Sequence, residues 1–227
     1  MNIHLNARFS EENAADFDEI VVATGVSARK AGIEGENHPS VLSYTDVVLH
    51  RKPVGKAVAI IGAGGIGFDV ATFLGSKPKT TIAAFMKEWG VDTGYLNPGA
   101  KQKPEPEAAL REVYLLQRSG GKMGQRLGKT TGWIHRSSLK MKKVKMISGV
   151  SYQYIDDAGL HISVNKKEQT LHVDNIVVCA GQVSENQLFE ALKSTGKSVH
   201  LIGGAAEAGE LDAKRAIAEG TELGLSI

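Results

Sequence analysis

Lys56-Ala57-Val58-Ala59-Ile60-Ile61-Gly62-Ala63-Gly64-Gly65-Ile66-Gly67 is the run whose reading decides the fold. Val58 to Ile61 is a continuous apolar stretch of strand length, and Phe68 to Leu74 continues past the glycines as an apolar-rich helix. Between them the spacing Gly-x-Gly-x-x-Gly gives each glycine a separate task. Gly62 permits the tight turn, Gly64 lets a pyrophosphate approach the backbone, and Gly67 lets the helix pack close to the strand. The helix start adds unpaired N–H groups and about half a positive charge. Strand, turn and helix in this order distinguish the run from an ordinary glycine-rich turn. Gly62, Ala63, Gly64, Gly65, Ile66 and Gly67 are therefore read as cofactor-binding residues.

Outward from this run, Lys52-Pro53-Val54-Gly55 breaks the chain and marks a boundary. Upstream, Ile3 to Arg8 alternates like a short strand, Glu19 to Gly25 is a compact apolar strand ended by glycine, and Val41 to Leu49 reads as a short helix. Downstream, Ser76 to Pro106 is a long proline-interrupted excursion, and Glu112 to Arg118 is a strand candidate. Trp133 to Lys143 reads as a helix. Then Val144–Ile147, Val150–Ile155, Leu160–Val164 and Gln169–Val173 alternate as strands, the last three separated by turns as a small antiparallel meander. Ile176 to Gly181 repeats the pattern of an apolar strand ended by Ala-Gly. Val199 to Gly204 runs into a glycine turn, and Glu210 to Leu225 is an Ala-rich amphipathic helix. The fold class is α/β: a Rossmann-like dinucleotide-binding domain (54–182) with a small meander, set between two segments (1–53 and 183–227) of a second α/β domain.

The 227 residues can form a real core, and 42% hydrophobic content is that of a globular protein. A net charge of +2 argues against a nucleic-acid or anionic-membrane surface. Cys179, the only cysteine, excludes an intrachain disulfide or a cluster held by this chain alone, and lies in an apolar run as a small buried hydrophobe. No apolar run reaches membrane-span length, no metal-ligand spacing occurs, and the default compartment is the cytoplasm.

Which dinucleotide binds depends on the tip of the second strand, where an acid favours NAD and an arginine NADP. If Ile82–Met86 is that strand, Glu88 is the acid. If Val113–Leu116 is, Gln117 and Arg118 sit at the tip, and Lys122 and Arg126 follow as a phosphate pocket would need. The second option requires a long insertion, but the prolines after Trp89 fit an excursion. It points to NADPH, with Arg118, Lys122 and Arg126 as binding residues. Two charged hydrogen bonds, each worth ~1.5–3 kcal/mol, would give on the order of a hundredfold preference over NADH.

Several stretches together resemble one family. Asp18–Gly25, His38–Tyr44, Val58–Asp69, Leu127–Arg136, Val177–Gln182, His200–Gly204 and Glu210–Ile217 are similar to the C-terminal part of bacterial NADPH-dependent 2,4-dienoyl-CoA reductases, which belong with the trimethylamine-dehydrogenase-like flavoproteins of the NADH:flavin oxidoreductase family. Leu127–Arg136 is the most specific of them. The resemblance implies an NADP domain inserted into an FAD domain, with Thr24-Gly25, Ala180-Gly181 and Gly203-Gly204 on the cofactor side and the last helix starting toward the flavin. It also implies hydride transfer from NADPH to FAD, then electron flow to a 4Fe-4S cluster and FMN in an N-terminal barrel that reduces a dienoyl-CoA of fatty-acid β-oxidation. That barrel and the first glycine loop of the FAD domain are absent from the sequence. The expectation is an incomplete FAD site, strands at Val21 and Leu201 with unpaired edges available to a partner or a second copy, and no dienoyl-CoA reduction by the chain alone. The loop after Gln182 lacks a proline that the family pattern leads one to expect.

No catalytic residue is assigned. His135 reads as structural or phosphate-facing, Trp133 and Tyr44 as packing residues, Asp69 as support for its helix, and Asp212 and Arg215 as anchors of the last helix. Two rival readings remain: the nucleotide-binding part of another old-yellow-enzyme-type flavoprotein, and a non-catalytic nucleotide-binding assembly module.

Overall fold

Alternate residues of the glycine-motif strand face two different cores. In the computed structural model, which describes residues 1–77, 81–209 and 212–227, Val58 and Ile60 enter one apolar cluster and Ala59 and Ile61 the other. Both clusters belong to one of two compact units. The first unit is Met1–Arg29 with Gly181–Ile227; the second, Lys30–Ala180, lies between them in sequence. The sequence pattern places these divisions at Pro53 and Gln182.

In chain order the first unit contributes β1 (Glu19–Val22) and β2 (Val26–Ala28). The second unit then forms β3 (Val41–Ser43), α1 (Tyr44–Val48), β4 (Ala57–Ile61), α2 (Gly65–Gly75), α3 (Ile82–Trp89), β5 (Glu112–Gln117), α4 (Gly132–Met141), β6 (Lys145–Ser148), β7 (Val150–Asp156), β8 (Gly159–Val164), β9 (Lys167–Leu171) and β10 (Asn175–Val178). The chain returns with β11 (Gln182–Ser184), α5 (Gln187–Leu192), β12 (Ser198–Leu201) and α6 (Ala213–Ser226).

The second unit is built on a five-stranded, fully parallel sheet in the order β3-β10-β4-β5-β6. One face packs on helices, through Phe68, Val70 and Leu74 of α2 and Leu139 of α4. The other is covered by the β7-β8-β9 meander, through Val150, Ile155, Leu160, Ile162 and Leu171. A sheet covered on both faces explains why β4, β5 and β10 read as continuous apolar runs.

Several local expectations change. Val41–Leu49 is not one helix: Val41 and Leu42 pair with Ile176 and Val177, and only then does Ser43 cap α1. Ile3–Arg8 forms no strand and is largely exposed. The excursion after α2 is not structureless. Ile82–Trp89 is a helix capped by Thr81, whose hydroxyl accepts from the Ala84 amide at 3.1 Å, and closed by left-handed Gly90. Glu88 therefore stands at no strand tip. It is buried against Lys142 at 2.7 Å, and the Lys142 ammonium also donates to the Glu107 carbonyl at 3.3 Å. Pro78, and the start of the expected last helix at Glu210 and Leu211, lie outside the described residues.

The first unit has a smaller core of Ala14, Ile20, Val22 and Leu192. Its parallel pair β1–β12 runs from Glu19↔Ser198 to Val22↔Leu201, and β2 pairs antiparallel with β11. The strands of Val21 and Leu201 thus pair with each other, and each keeps one edge without a partner strand among the described residues. Asp212 caps α6 by accepting from the Arg215 amide at 2.8 Å, but α6 buries none of its described residues.

Two stability outcomes follow from charged groups in the second unit. Lys142→Met leaves the Glu88 carboxylate buried without its cation and is expected to cost about 3–5 kcal/mol in urea unfolding, whereas Glu88→Met with Lys142→Met together costs less than the single change. Asp46 accepts from Lys52 at 2.7 Å and from the Ser43 amide at 2.9 Å. Lys52 first, then that amide, lower its carboxyl to about 2. Its contribution is present above the ordinary carboxylate range and is lost as pH falls through about 2. Asp46→Asn should cost about 0.5–2 kcal/mol at neutral pH, and the gap to wild type should shrink as pH is lowered from about 4 toward 2.

Candidate functional site

The parallel strands β4, β5 and β6 end on one side of the second unit, and the loops that follow them carry the sequence-predicted nucleotide residues. β4 ends at Ile61. Gly62 then turns with φ +108°, its amide donating to the Leu116 carbonyl at 3.0 Å. A Cβ on Gly62 would lie 2.3 Å from the Cys179 carbonyl oxygen, and one on Gly67 would lie 1.9 Å from the Gly62 carbonyl oxygen. These are the tight turn and the close helix–strand approach expected of the first and third glycines. At Gly64 and Gly65 an added Cβ would meet nothing within 4 Å, so the middle of the motif faces open space.

α2 begins from Gly64 with no side-chain cap, and its first backbone bond runs from the Phe68 amide to the Gly64 carbonyl at 3.1 Å. The amides before Phe68 belong to the unpaired first turn, which, with the helix dipole, suits a phosphate. A cleft of about 440 Å³ opens beside this turn, lined by Ala63 and Gly64, by Gln117 and Ser119 at the tip of β5, and by Lys122 and Arg126. No carboxylate among the described residues lines it. The residues present fit a dinucleotide: glycine backbone for the pyrophosphate and uncompensated cations beyond it.

β5 pairs with β4 and is the second strand, so Gln117 and Arg118 stand at its tip. Arg118 is exposed but does not line the cleft. Leu115 faces the helix-side core and Leu116 the meander-side core, and continuing that alternation puts Arg118 on the meander side. There its charge opposes the effect of burial, which pushes the Tyr152 hydroxyl up. That hydroxyl is buried without a hydrogen-bond partner among the described residues. Sequence reasoning missed Tyr152, because its position in an alternating strand marks only a covered face. Cys179 donates its amide to the Ile61 carbonyl at 2.8 Å, and burial pushes its thiol up to about 12, which makes it an inert core group. Ala180 packs on the meander-side core at the end of the second unit.

In the first unit, Gly25 (φ +79°) accepts from the Glu185 amide at 3.0 Å, and the Thr24 hydroxyl donates to the Glu185 carbonyl. Gly181 (φ +106°) accepts from the Arg29 amide at 3.1 Å, and its open side faces the Arg29 guanidinium. The Gly203 amide donates to the Glu219 carboxylate of α6, and Gly204 is buried. Arg215 joins the same group through Glu207 at 3.1 Å. The Gly203 turn is thus closed on its own helix, and its amide is already used. A cavity of about 650 Å³ is lined by Thr24, Phe9, Glu185 and Leu188, with Gly25, Gly203 and Gly204 outside it. Among the described residues the first unit holds no Gly-x-Gly-x-x-Gly turn. No cluster of His, Cys, Asp and Glu among the described residues could hold a metal ion, and no helix there is long and apolar enough to cross a membrane.

Comparison with known proteins agrees with this architecture. The family described as pyridine nucleotide-disulphide oxidoreductase matches residues 2–202. Cinnamate reductase of Clostridium sporogenes is 27% identical over 90% of the chain, and a metal reductase of Desulforamulus reducens is 24% identical over 83%. The chain spans only about a quarter of these relatives, 26% and 28% of their lengths. A solved 2-naphthoyl-CoA reductase has the same fold over 98% of the chain, with a TM-score of 0.76 at 23% identity, and the match covers 29% of that protein.

The glycines separate in a stability measurement. Gly67→Ala forces α2 off the turn and is expected to cost several kcal/mol in thermal or urea unfolding. Gly64→Ala, at an ordinary φ of −80° and with open space around its Cβ, should stay within about 1 kcal/mol of wild type.

Proposed function

The chain belongs to the pyridine nucleotide-disulphide oxidoreductase family, and from that premise we propose that Lys30–Ala180 is the NADPH-binding, electron-entry part of a flavin-dependent reductase. The family implies a nicotinamide nucleotide and a flavin. When bound, the nicotinamide nucleotide supplies a hydride and the flavin receives it. The chain's own contribution is placement. The Gly62–Gly67 turn and the first amides of α2 receive the pyrophosphate. Lys122 and Arg126 stand ready for a ribose phosphate, while Arg118, at the tip of β5, lies outside their cleft on the meander side. Transfer of this kind needs positioning more than proton movement, so no residue is assigned as acid or base.

One observation carries the reading: Gly64 shares a cleft with Lys122 and Arg126, and no carboxylate is there to prefer an unphosphorylated ribose. For the parent reaction we favour reduction of a conjugated acyl-CoA of the 2,4-dienoyl type. The run Leu127–Arg136 supports it, as do relatives named for cinnamate and 2-naphthoyl-CoA, both with unsaturation conjugated to a carboxyl or thioester. An assembly role is a second reading, favoured by the open edges of β1 and β12 and by the exposed Ile217 and Leu225 of α6.

Titration of the full chain with NADPH and NADH, followed by nucleotide fluorescence, tests the proposal. NADPH should bind on the order of a hundredfold tighter. Lys122→Ala with Arg126→Ala should remove most of that preference, and Arg118→Ala should remove less. Equal affinities in the wild type would reject NADPH preference, and no binding of either nucleotide would reject the dinucleotide site itself.

A further inference from the structure

Another cavity of the second unit, of about 400 Å³, shares Lys122 with the glycine-turn cleft. Its other walls are Trp133, Arg136 and Lys140 of α4, with Met146 and Ser148 at the end of β6. Three of its lining residues are cations and none is a carboxylate. Trp133, Arg136 and Lys140 fall at helical spacings of three and four, so one stripe of α4 presents an indole followed by two positive charges.

Trp133 does not pack as its sequence suggested. Gly132 and Leu139 are the buried residues of α4, whereas Trp133 is 55% exposed. Neither Trp133 nor Lys140 has a hydrogen-bond, ion-pair or ring partner among the described residues. The wall that carries them is nonetheless fixed. Arg136 donates to the Gly124 carbonyl at 3.0 Å. A Cβ on Gly124 would lie 2.8 Å from the Phe68 ring and from Leu127, and one on Gly132 would lie 3.0 Å from Leu127. The loop 120–131 is thereby seated on α2 on one side and on α4 on the other, and Phe68 belongs to the helix that starts at the glycine turn. A large apolar ring held open to solvent on a rigid support, beside unpaired cations, suits a ligand that is both aromatic and anionic.

Resting on the dinucleotide reading above, we propose that this cavity takes the adenosine-phosphate half of the ligand. Trp133 is the platform for the base, and Lys140, together with Lys122, supplies charge for the ribose phosphate. Selectivity for a phosphorylated ribose is then shared between the β5 tip and α4, which lies later in the chain. Leu127–Arg136, otherwise without a task in nucleotide binding, becomes the segment that sets the base platform in place.

The test uses the full chain and 2′,5′-ADP, with 5′-AMP as the control lacking the 2′-phosphate. In a Trp89→Phe background, where Trp133 is the remaining indole, 2′,5′-ADP should quench the emission saturably. By competition against NADPH fluorescence, Trp133→Ala should weaken 2′,5′-ADP and 5′-AMP alike by about tenfold. Lys140→Gln should weaken 2′,5′-ADP several-fold and leave 5′-AMP within about twofold. Both residues are exposed, so melting temperatures should stay near wild type. If the wild type binds NADPH but both variants keep wild-type affinity for 2′,5′-ADP, the base platform is wrong and the dinucleotide site stands. If the wild type binds no nucleotide, the underlying reading and this inference fall together.

Discussion

The rest of the second unit depends on a contact that only a missing side chain allows. α2 rests on the backbone of the turn it leaves, with the Gly67 Cα hydrogen where a Cβ would stand 1.9 Å from the Gly62 oxygen. That approach brings Phe68, Val70 and Leu74 down onto Val58 and Ile60, so the helix-side core forms at all. It also aims the unpaired first turn of α2 along the ends of the parallel strands, where the second strand and its following loop bring Lys122 and Arg126. The packing of α2 and the open first turn of that helix come from one geometric condition, which is why Gly62 and Gly67 are crowded while Gly64 and Gly65 face open space.

The electrostatics of the two cavities are one-sided. Two carboxylates of this unit are engaged elsewhere: Glu88 is buried with Lys142, and Asp46 with Lys52 and Ser43. Lys122 and Arg126, beside the glycine turn, have no carboxylate partner among the described residues. Such an arrangement keeps self-repulsion low while the site is hydrated and gives it most to gain from a multiply charged anion.

Much of this was readable from residue order, and the failures have physical causes. Val58–Gly67 is legible because a strand covered on both faces, a glycine turn and a helix each leave a distinct pattern. The meander is legible because its strands alternate and its turns carry Gly159 and Asn165. Ile82–Trp89 is ambiguous because eight mostly apolar residues fit either a strand or a helix. The deciding marks were its flanks, Thr81 as a cap and Gly90 as a left-handed stop. Val41–Ser43 is a strand only because Ile176 and Val177 lie beside it, a neighbour no local pattern reveals. The Glu88–Lys142 pair and the exposure of Trp133 are tertiary facts of the same kind. The site glycines were visible; the split of Arg118 from Lys122 and Arg126 became visible only with the two faces of β5 in view.

Arg29 and Gly181 are joined by one backbone hydrogen bond, so the chain leaves the first unit and re-enters it at a single point. This has a consequence in time. On a ribosome β1 emerges before its partner β12, which is made only after all of Lys30–Ala180. At about 5–20 residues per second that wait is on the order of ten to forty seconds. The intervening unit carries its own sheet and two cores, and so can fold during the interval. Its completion brings the ends at Arg29 and Gly181 together and shortens the loop that β1 and β12 must close. The order of synthesis thus puts the second unit ahead of the pairing of β1 with β12, and a slow-folding variant of it would leave Ile20 and Val22 exposed for as long as the delay lasts.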